Sequence, residues 1–224
     1  MLVENLHTYG WVDAIRGMRN PLNSWEKGDS SFEFDPKTGS LIKANFGPND
    51  RSLMESLVKG GSPHRKFLRQ IFVTMDITAP TYWWAEMDTY KVSTTRDSCS
   101  VQHKGASRDF EPSDFTVDPI PDNPEKVPDL RTLSVDGAKD DLQVILGIVN
   151  KYRKLYVETK DYSYFRLMRQ FLPTGYEYKA TWSGNMEVLL NIYEWRKNHR
   201  LKEWHEFCSE IEKIIGFKEI TGRI

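Results

Sequence analysis

The stretch RQFLPTGYEYKATWSGNMEVLLNIYEWRKNH, residues 169–199, contains residue patterns that predict secondary structure over most of its length. Residues 174–184 alternate aromatic with polar side chains, which predicts a short strand or extended passage. Residues 185–197 place apolar side chains at helical spacing and predict an amphipathic helix, and residues 201–215 predict another. The carboxyl-terminal part of the chain is therefore expected to be a strand followed by two helices.

Upstream of this stretch, hydrophobic periodicity predicts further elements. Residues 138–158 place Leu142, Ile145 and Val149 at steps of three and four, which is typical of an amphipathic helix. Residues 162–171 predict another helix, which ends before a proline. The amino-terminal half predicts a helix over 12–18, turns and a hairpin over 23–41, a helix over 52–59, a strand over 67–77 and a helix over 80–91.

Composition restricts the class of protein. The 224 residues include 31 Lys and Arg against 32 Asp and Glu, a net charge of −1, so no strong field attracts DNA or an anionic membrane. An RNA-binding module, with bases stacked on Tyr82, Trp83 or Trp84, has little support because no basic stripe accompanies these rings. The apolar fraction of 39% is too high for a disordered chain. A globular protein is expected.

Cysteine content and hydropathy indicate a compartment. Two cysteines, Cys99 and Cys208, are too few for a disulfide framework, which suits a reducing environment. The amino terminus lacks the basic start and unbroken apolar stretch of a signal peptide, and no window reaches the roughly 20 apolar residues of a membrane span. We expect a cytoplasmic location.

The domain organisation follows from the proline distribution. Residues 111–128 hold five of the eleven prolines among acidic side chains, a composition typical of extended, solvated backbone. Neither the aromatic half before this stretch nor the helical half after it has enough core residues to fold alone. We therefore expect a single domain over 1–224 with a proline-rich surface loop at about 111–128.

Polar residues in the helix over 185–197 permit two interpretations. Asn185 and Asn191 are poor helix-interior residues, so their amides are candidates for a polar role. They also fit a structural interpretation, in which Asn185 caps the helix, Asn191 is a surface amide and Arg196 is a solvated cation favoured by the helix dipole. His199 and His205 do not form a zinc-binding His-Glu-x-x-His motif, and we expect no metal site.

The spacing of these residues and their neighbours along the chain resembles that of a known family. The elements Arg169-x-x-Leu172-Pro173, Trp182, Asn185, Asn191 and Arg196 keep, without a gap, the spacing of the carboxyl-terminal signature of the flavin-dependent thymidylate synthases. The amino-terminal half is similar in layout, with a predicted strand, an Ala79-Pro80 step and an aromatic helix. The resemblance implies an α/β fold in which a mixed sheet is flanked by helices.

The chain departs from the family at its hallmark. Thr89-Tyr90-Lys91 stands where the family has Arg-His-Arg. Cys99 or Ser100 stands at the hallmark's serine and Asp97 at its glutamate. A thiolate at Cys99 would be able to add to C6 of a pyrimidine, whereas the alternative is an inert replacement for serine.

The activity that the resemblance implies is reductive methylation of deoxyuridine monophosphate (dUMP) to thymidylate, with FAD as cofactor and NADPH and methylenetetrahydrofolate as co-substrates. A related one-carbon modification of another pyrimidine deoxynucleotide is also compatible with the altered hallmark. The alternative is a nucleotide-binding relative on the same scaffold that has no flavin redox activity. The family implies a homotetramer in which neighbouring subunits share the flavin site.

The resemblance also implies roles for individual residues. Arg196 is the catalytic candidate, since a guanidinium at the carbonyl edge of uracil stabilises negative charge on the ring. Arg169 is expected to converge with it on the same heterocycle. The substrate-binding candidates are Arg169, Glu86, Asp97, Ser98, Cys99, Ser100 and Lys91. The cofactor-binding candidates are Thr89, Tyr90, Lys91, Asn185, Asn191 and His199.

Overall fold

The computed structural model describes residues 1–100, 105–118 and 137–222. The chain divides into two compact units. Unit 1 consists of Met1–Thr78, Met87–Asp97 and Ala180–Ile224, and unit 2 of Ala79–Glu86 and Ser98–Lys179. The single domain that the sequence predicts stays a prediction. Within the described ranges, no helix combines the length and the apolar character needed to span a membrane.

Six strands and eight α-helices are described. The strands are β1 (Leu2–Tyr9), β2 (Ser31–Phe34), β3 (Leu41–Asn45), β4 (Phe72–Pro80), β5 (Thr95–Ser98) and β6 (Glu177–Asn185). The helices are α1 (Trp11–Gly17), α2 (Pro48–Lys59), α3 (Thr81–Met87), α4 (Gly137–Thr159), α5 (Tyr162–Phe171), α6 (Met186–Arg196), α7 (Lys202–Glu212) and α8 (Phe217–Thr221).

A four-stranded sheet with the strand order β1-β4-β6-β5 is the framework of unit 1. Strand β4 buries alternate residues, Val73, Met75 and Ile77, as expected when one face of a sheet packs on a core. Strand β1 pairs antiparallel with β4, and a register shift between Glu4 and His7 interrupts the pairing. Strands β2 and β3 form a hairpin that extends beyond the predicted range of 23–41, because β3 begins at Leu41 and continues to Asn45.

The helices of unit 1 enclose a core rich in aromatic residues. Trp11 of α1 and Trp204 of α7 are fully buried, and the Trp11 ring packs against Phe46 with 5.5 Å between centroids. Gly216 precedes α8 with a φ of 84°, and a Cβ at this position would lie 2.4 Å from the Trp11 ring. A glycine is therefore required both for the backbone conformation and for the close approach.

Unit 2 is built around the helix pair α4 and α5. The described part of its core includes a cluster of seven buried apolar residues, namely Phe110, Phe115, Leu142, Leu146, Val149, Phe165 and Met168. Of the proline-rich stretch 111–128, residues 111–118 are described, and within them Phe115 is buried in this core. The remainder of that predicted loop, residues 119–128, lies outside the described residues.

One predicted strand begins later than the sequence indicates. Strand β4 starts at Phe72, and Lys66–Gln70 form a short 3₁₀ helix. Both Phe67 and Leu68 are buried. Adjacent residues of a strand point to opposite faces, whereas in a 3₁₀ turn they are about 120° apart, which allows both side chains of this pair to be buried against one core.

Candidate functional site

Unit 1 contains a cleft of about 450 Å³, here called the amide cleft. It lies where the carboxyl end of β6 and the first turns of α6 meet the segment after α3. Its lining residues are Ser62, Arg69, Thr89, Tyr90, Lys91, Val92, Ser93, Asn185, Glu187, Val188 and Asn191.

The start of α6 positions the two asparagines of this cleft. Asn185 is the N-cap, and its Oδ1 accepts a hydrogen bond from the Val188 amide at 3.1 Å. The Met186 amide donates to the Ile71 carbonyl at 3.0 Å, which holds the end of the helix beside β4. Asn191 lies six residues after Asn185 on the same helix, and its Oδ1 accepts from Nη2 of Arg65 at 2.6 Å.

A buried carboxylate, Glu187, organises the wall of the amide cleft. Its Oε1 accepts hydrogen bonds from Ser62 Oγ at 2.7 Å and from Arg65 Nε at 3.2 Å, and its Oε2 accepts from Arg69 Nε. Desolvation works to raise the pKa of Glu187, but hydrogen bonds from Arg69, Ser62 and Arg65 outweigh it and lower the pKa below its ordinary value. The carboxylate is therefore charged and paired at neutral pH.

Arg196 lies beside the amide cleft and does not line it. Its guanidinium carbon is 4.5 Å from the centroid of the Trp204 ring and 5.5 Å from that of Tyr90. Its Nε donates a hydrogen bond to the Tyr90 hydroxyl at 2.9 Å. His199 belongs to the same group, with its ring 6.3 Å from that of Trp204 and its Nδ1 accepting from the Leu201 amide.

Unit 2 contains a second cleft, of about 390 Å³, here called the arginine cleft. Its lining residues are Thr81, Ser98, Cys99, Ser100, Arg169, Leu172, Pro173, Thr174, Tyr176 and Tyr178. The Cys99 amide donates to the Lys179 carbonyl at 2.9 Å, which holds the segment 98–100 against β6. Arg169 is in the last turn of α5, and its side chain is exposed.

The phenol of Tyr176 contributes a neutral polar group to this cleft. Burial raises the pKa of Tyr176 above its ordinary value, and the nearby Asp114 carboxylate acts in the same direction. Tyr178 presents an aromatic ring that is stacked on Trp84 with 5.7 Å between centroids. The arginine cleft therefore combines a cation, hydroxyl groups, a thiol and aromatic surface.

The predicted site residues fall into four groups. Ser98, Cys99, Ser100 and Arg169 meet in the arginine cleft. The five residues that meet in the amide cleft are Thr89, Tyr90, Lys91, Asn185 and Asn191. The two that lie beside the amide cleft are Arg196 and His199, and those that line neither cleft are Glu86 of α3 and Asp97 of β5.

The functional roles of all these residues stay predictions. Arg169 belongs to unit 2 and Arg196 to unit 1, so their expected convergence on one heterocycle also stays a prediction. In the described part of the chain, no group of three or more His, Cys, Asp or Glu side chains is arranged to hold a metal ion.

Sequence reasoning missed the charged wall of the amide cleft. Its missed members are Ser62, Arg69 and Glu187, which line the cleft, and the prediction also missed Arg65, which pairs with Glu187. One signal was available, because Glu187 is a charged residue that precedes the apolar run Val188–Leu190 in the first turn of α6. The sequence did not reveal its partners, which are more than 100 positions away along the chain.

Comparison with known proteins identifies the fold. No protein-family model and no curated protein sequence matches the chain. Two crystal structures of the flavin-dependent thymidylate synthase ThyX from Helicobacter pylori, both with FAD and dUMP, resemble it over 98% of this chain and 96% of theirs. Each is 17% identical in sequence, and the TM-scores are 0.65 and 0.64. The predicted α/β fold, a sheet flanked by helices as in this family, is confirmed.

Proposed function

We propose that this protein is a flavin-dependent enzyme that reductively methylates dUMP to thymidylate, or adds a related one-carbon unit to a pyrimidine deoxynucleotide. The observation that carries the proposal is the arginine cleft. Arg169 and the segment Ser98–Ser100, more than 65 positions apart in sequence, line one cavity on a fold shared with structures that contain FAD and dUMP. In this proposal, methylenetetrahydrofolate supplies the carbon unit and NADPH the reducing equivalents.

The chemistry of the arginine cleft suits a pyrimidine nucleotide. A guanidinium forms strong, directed hydrogen bonds with phosphate or carbonyl oxygens, and Arg169 has its side chain exposed at the cleft. Ser98 and Ser100 add hydroxyl groups, and the Tyr178 ring offers a surface for a planar base. The volume of about 390 Å³ falls within the range of about 300–1,000 Å³ that is typical of small-ligand pockets.

The amide cleft suits the polar part of a flavin. The amide groups of Asn185 and Asn191 and the hydroxyl of Tyr90 are groups that hydrogen-bond the polar edge of a heterocycle. Lys91 and Arg69 give the cleft cations for an anionic group. FAD, when bound, would supply the hydride-transfer chemistry that these side chains lack.

The size of the amide cleft bears on the oligomeric state. A space of about 450 Å³ accommodates a part of a dinucleotide rather than the whole of it. We therefore retain the proposal of a homotetramer, in which another copy of the chain completes the flavin site. A monomer in light scattering at micromolar concentration would contradict this arrangement.

Arg196 is the proposed catalytic cation for the negative charge that develops on the pyrimidine. Its Nε donates to the Tyr90 hydroxyl at 2.9 Å, which helps to orient the guanidinium for this role. The stacking on Trp204 fixes the plane of the guanidinium.

The experiment is to incubate the purified protein with FAD, NADPH, methylenetetrahydrofolate and dUMP, and to identify the product by mass spectrometry. Formation of thymidylate would support the proposal. A second candidate, a nucleotide-binding relative without redox activity, is favoured by Thr89-Tyr90-Lys91, in which a hydroxyl, a phenol and one ammonium replace the two guanidinium groups and the imidazole of the hallmark. A colourless protein that binds dUMP and leaves both dUMP and deoxycytidine monophosphate unchanged would support that candidate.

A further inference from the structure

Helix α4 has apolar side chains on two of its faces. The first face packs on α5 and contributes Leu142, Leu146 and Val149 to the buried core of unit 2. On the second face, Val144 is 70% exposed and Ile148 is 44% exposed. A surface helix of a globular protein needs only one apolar face, and a further exposed apolar patch is typical of a contact site for another molecule. The second face of α4 is therefore a candidate contact surface.

The exposed apolar residues form one stripe along this helix. Steps of three and four residues connect Asp141, Val144, Ile148 and Lys151, which places their side chains on one side of α4. Ile145, which is 42% exposed, lies beside them. We call these five residues the α4 stripe. It runs about 15 Å along the helix, from an exposed carboxylate through three aliphatic side chains to an exposed ammonium group.

The order of charges makes the α4 stripe complementary to a reversed copy of itself. In an antiparallel pair of α4 helices, with a twofold axis midway between Asp141 and Lys151, the carboxylate of each copy lies opposite the ammonium group of the other. Val144 of each copy then lies opposite Ile148 of the other. A parallel pair would instead place like charges together. The stripe therefore favours an antiparallel, symmetric contact.

Gly147 is consistent with the close approach of a second helix at this place. It lies between Val144 and Lys151 at the edge of the α4 stripe, in the middle of a helix, where glycine is less favourable than alanine. Outside its own helix, no heavy atom of the described chain lies within 4 Å of a Cβ built at Gly147. Packing within the described chain does not require this glycine, whereas a partner backbone that crosses there would.

We propose that the α4 stripe binds the α4 stripe of a second copy of this chain, antiparallel and about a twofold axis. One helix pair covers less than the roughly 800 Å² per partner of a standard interface, so this contact acts together with another one between copies. For that other contact the inference rests on the homotetramer of the proposed function, because closed tetramers commonly join their copies through more than one surface. The contact itself requires neither flavin nor nucleotide.

The test compares the assembly of full-length variants by sedimentation velocity over a micromolar dilution series. D141K and K151E each place like charges opposite one another, and we expect each to raise the dissociation constant of the contact about tenfold or more. The double variant D141K/K151E exchanges the two charges and is expected to restore the assembly of the wild type. The matched control is R166E, at an exposed cation on α5 of the same unit. Circular dichroism verifies that each variant is folded.

Co-expression of the two single variants provides a second measurement. A D141K chain beside a K151E chain has opposite charges at both ends of the antiparallel contact, so mixed assemblies should exceed the random proportion in native mass spectrometry. Random mixing would overturn the proposed contact. Failure of the double variant to restore assembly would overturn it as well.

The remaining outcomes separate this inference from the proposed function. If D141K and K151E assemble as the wild type does, the inference is overturned and the α4 stripe is left to a partner of another kind. A monomeric wild type would overturn the inference together with the proposed homotetramer. Thymidylate formation by the same protein would leave the enzyme proposal standing in either case.

Discussion

The carboxylate of Glu187 is 6% exposed, and a buried negative charge without partners would be strongly destabilising. Arg65 and Ser62 on one side and Arg69 on the other supply the compensating hydrogen bonds. The same bonds direct the two arginines toward the first turns of α6, where Arg69 lines the amide cleft. One side chain thus contributes both to stability and to the electrostatics of the candidate site.

Replacement of this carboxylate by an amide tests its contribution to stability. We expect E187Q to lower the free energy of unfolding by about 2–3 kcal/mol at pH 7, because two arginines lose their charged partner. The folded-state pKa of Glu187 lies below its ordinary value of 4.5, so its stabilisation is complete above that pH and is lost as the pH falls through the folded-state pKa. Urea unfolding of wild type and variant should therefore show a constant difference near neutrality that narrows below about pH 4.5.

The matched control for this variant is E194Q, on the exposed side of the same helix. Glu194 is half exposed and lies 4.0 Å from Arg65, so its replacement is expected to change stability by less than about 0.5 kcal/mol. Equal stability of E187Q and wild type at pH 7 would contradict the assigned role of the buried carboxylate.

The thiols of Cys99 and Cys208 are expected to differ in reactivity because one is exposed and the other is buried. Cys99 is exposed in the arginine cleft, whereas burial raises the pKa of the Cys208 thiol to about 11. We expect iodoacetamide to alkylate Cys99 and spare Cys208, and we expect dUMP to protect Cys99 if the nucleotide occupies that cleft. Peptide mass spectrometry measures both outcomes, and alkylation of Cys99 at the same rate with saturating dUMP would place the nucleotide elsewhere.

At the scale of elements, long periodic segments were predictable and short ones were not. Helix α5 has the predicted bounds, and α4 differs from its prediction by one residue at each end. Helix α2 begins at Pro48, four residues before the predicted start, because Asp29 caps it from a distant loop through the amides of Asn49 and Asp50. Periodicity within a segment contains no information about such a cap.

Helices α3 and α7 are both shorter than predicted. Helix α3 ends at Met87, and the Tyr90 amide then donates to the Met87 carbonyl in a turn that leads to the amide cleft. Helix α7 ends at Glu212, and Gly216 with its positive φ separates it from α8, which the sequence did not predict. At α3 the chain leaves the helix through this local turn, and at α7 the positive φ of Gly216 interrupts the helical pattern.

The start of α2 depends on a buried ion pair that can be tested. Asp50 is fully buried, accepts from Arg19 Nε at 2.7 Å, and also accepts from the backbone amides of Asp29 and Ser30. We expect D50N to destabilise the protein by about 3 kcal/mol, since Arg19 would be left buried without its carboxylate. Thermal and urea unfolding measure the effect. The exposed Asp13 provides the matched control D13N, and a similar small effect of both substitutions would contradict this account.

At the scale of the whole molecule, the spacing of a few residues indicated the fold more reliably than it indicated the site. Arg169, Asn185 and Asn191 lie on elements of a fold that resembles the matched structures over 98% of this chain. What surrounds each of them depends on residues from other segments, such as Arg65 beside Asn191 and Cys99 beside Arg169. A motif fixes distances along the chain, whereas a cleft is formed by segments that only folding brings together.

The division of the chain into two units, each with its own cleft, leads to the last prediction. If the nucleotide is bound in the arginine cleft and the flavin in the amide cleft, a substitution in either cleft should change the affinity for only the ligand that is bound there. We expect R169Q to weaken dUMP binding at least about tenfold, because a charged hydrogen bond is lost, and to leave the affinity for FAD unchanged when each ligand is titrated alone. Isothermal titration calorimetry measures both. R166Q, an exposed arginine of the same helix, is the matched control. Equal weakening of both ligands by R169Q would instead indicate that they share a single site, and the assignment of separate clefts would have to be abandoned.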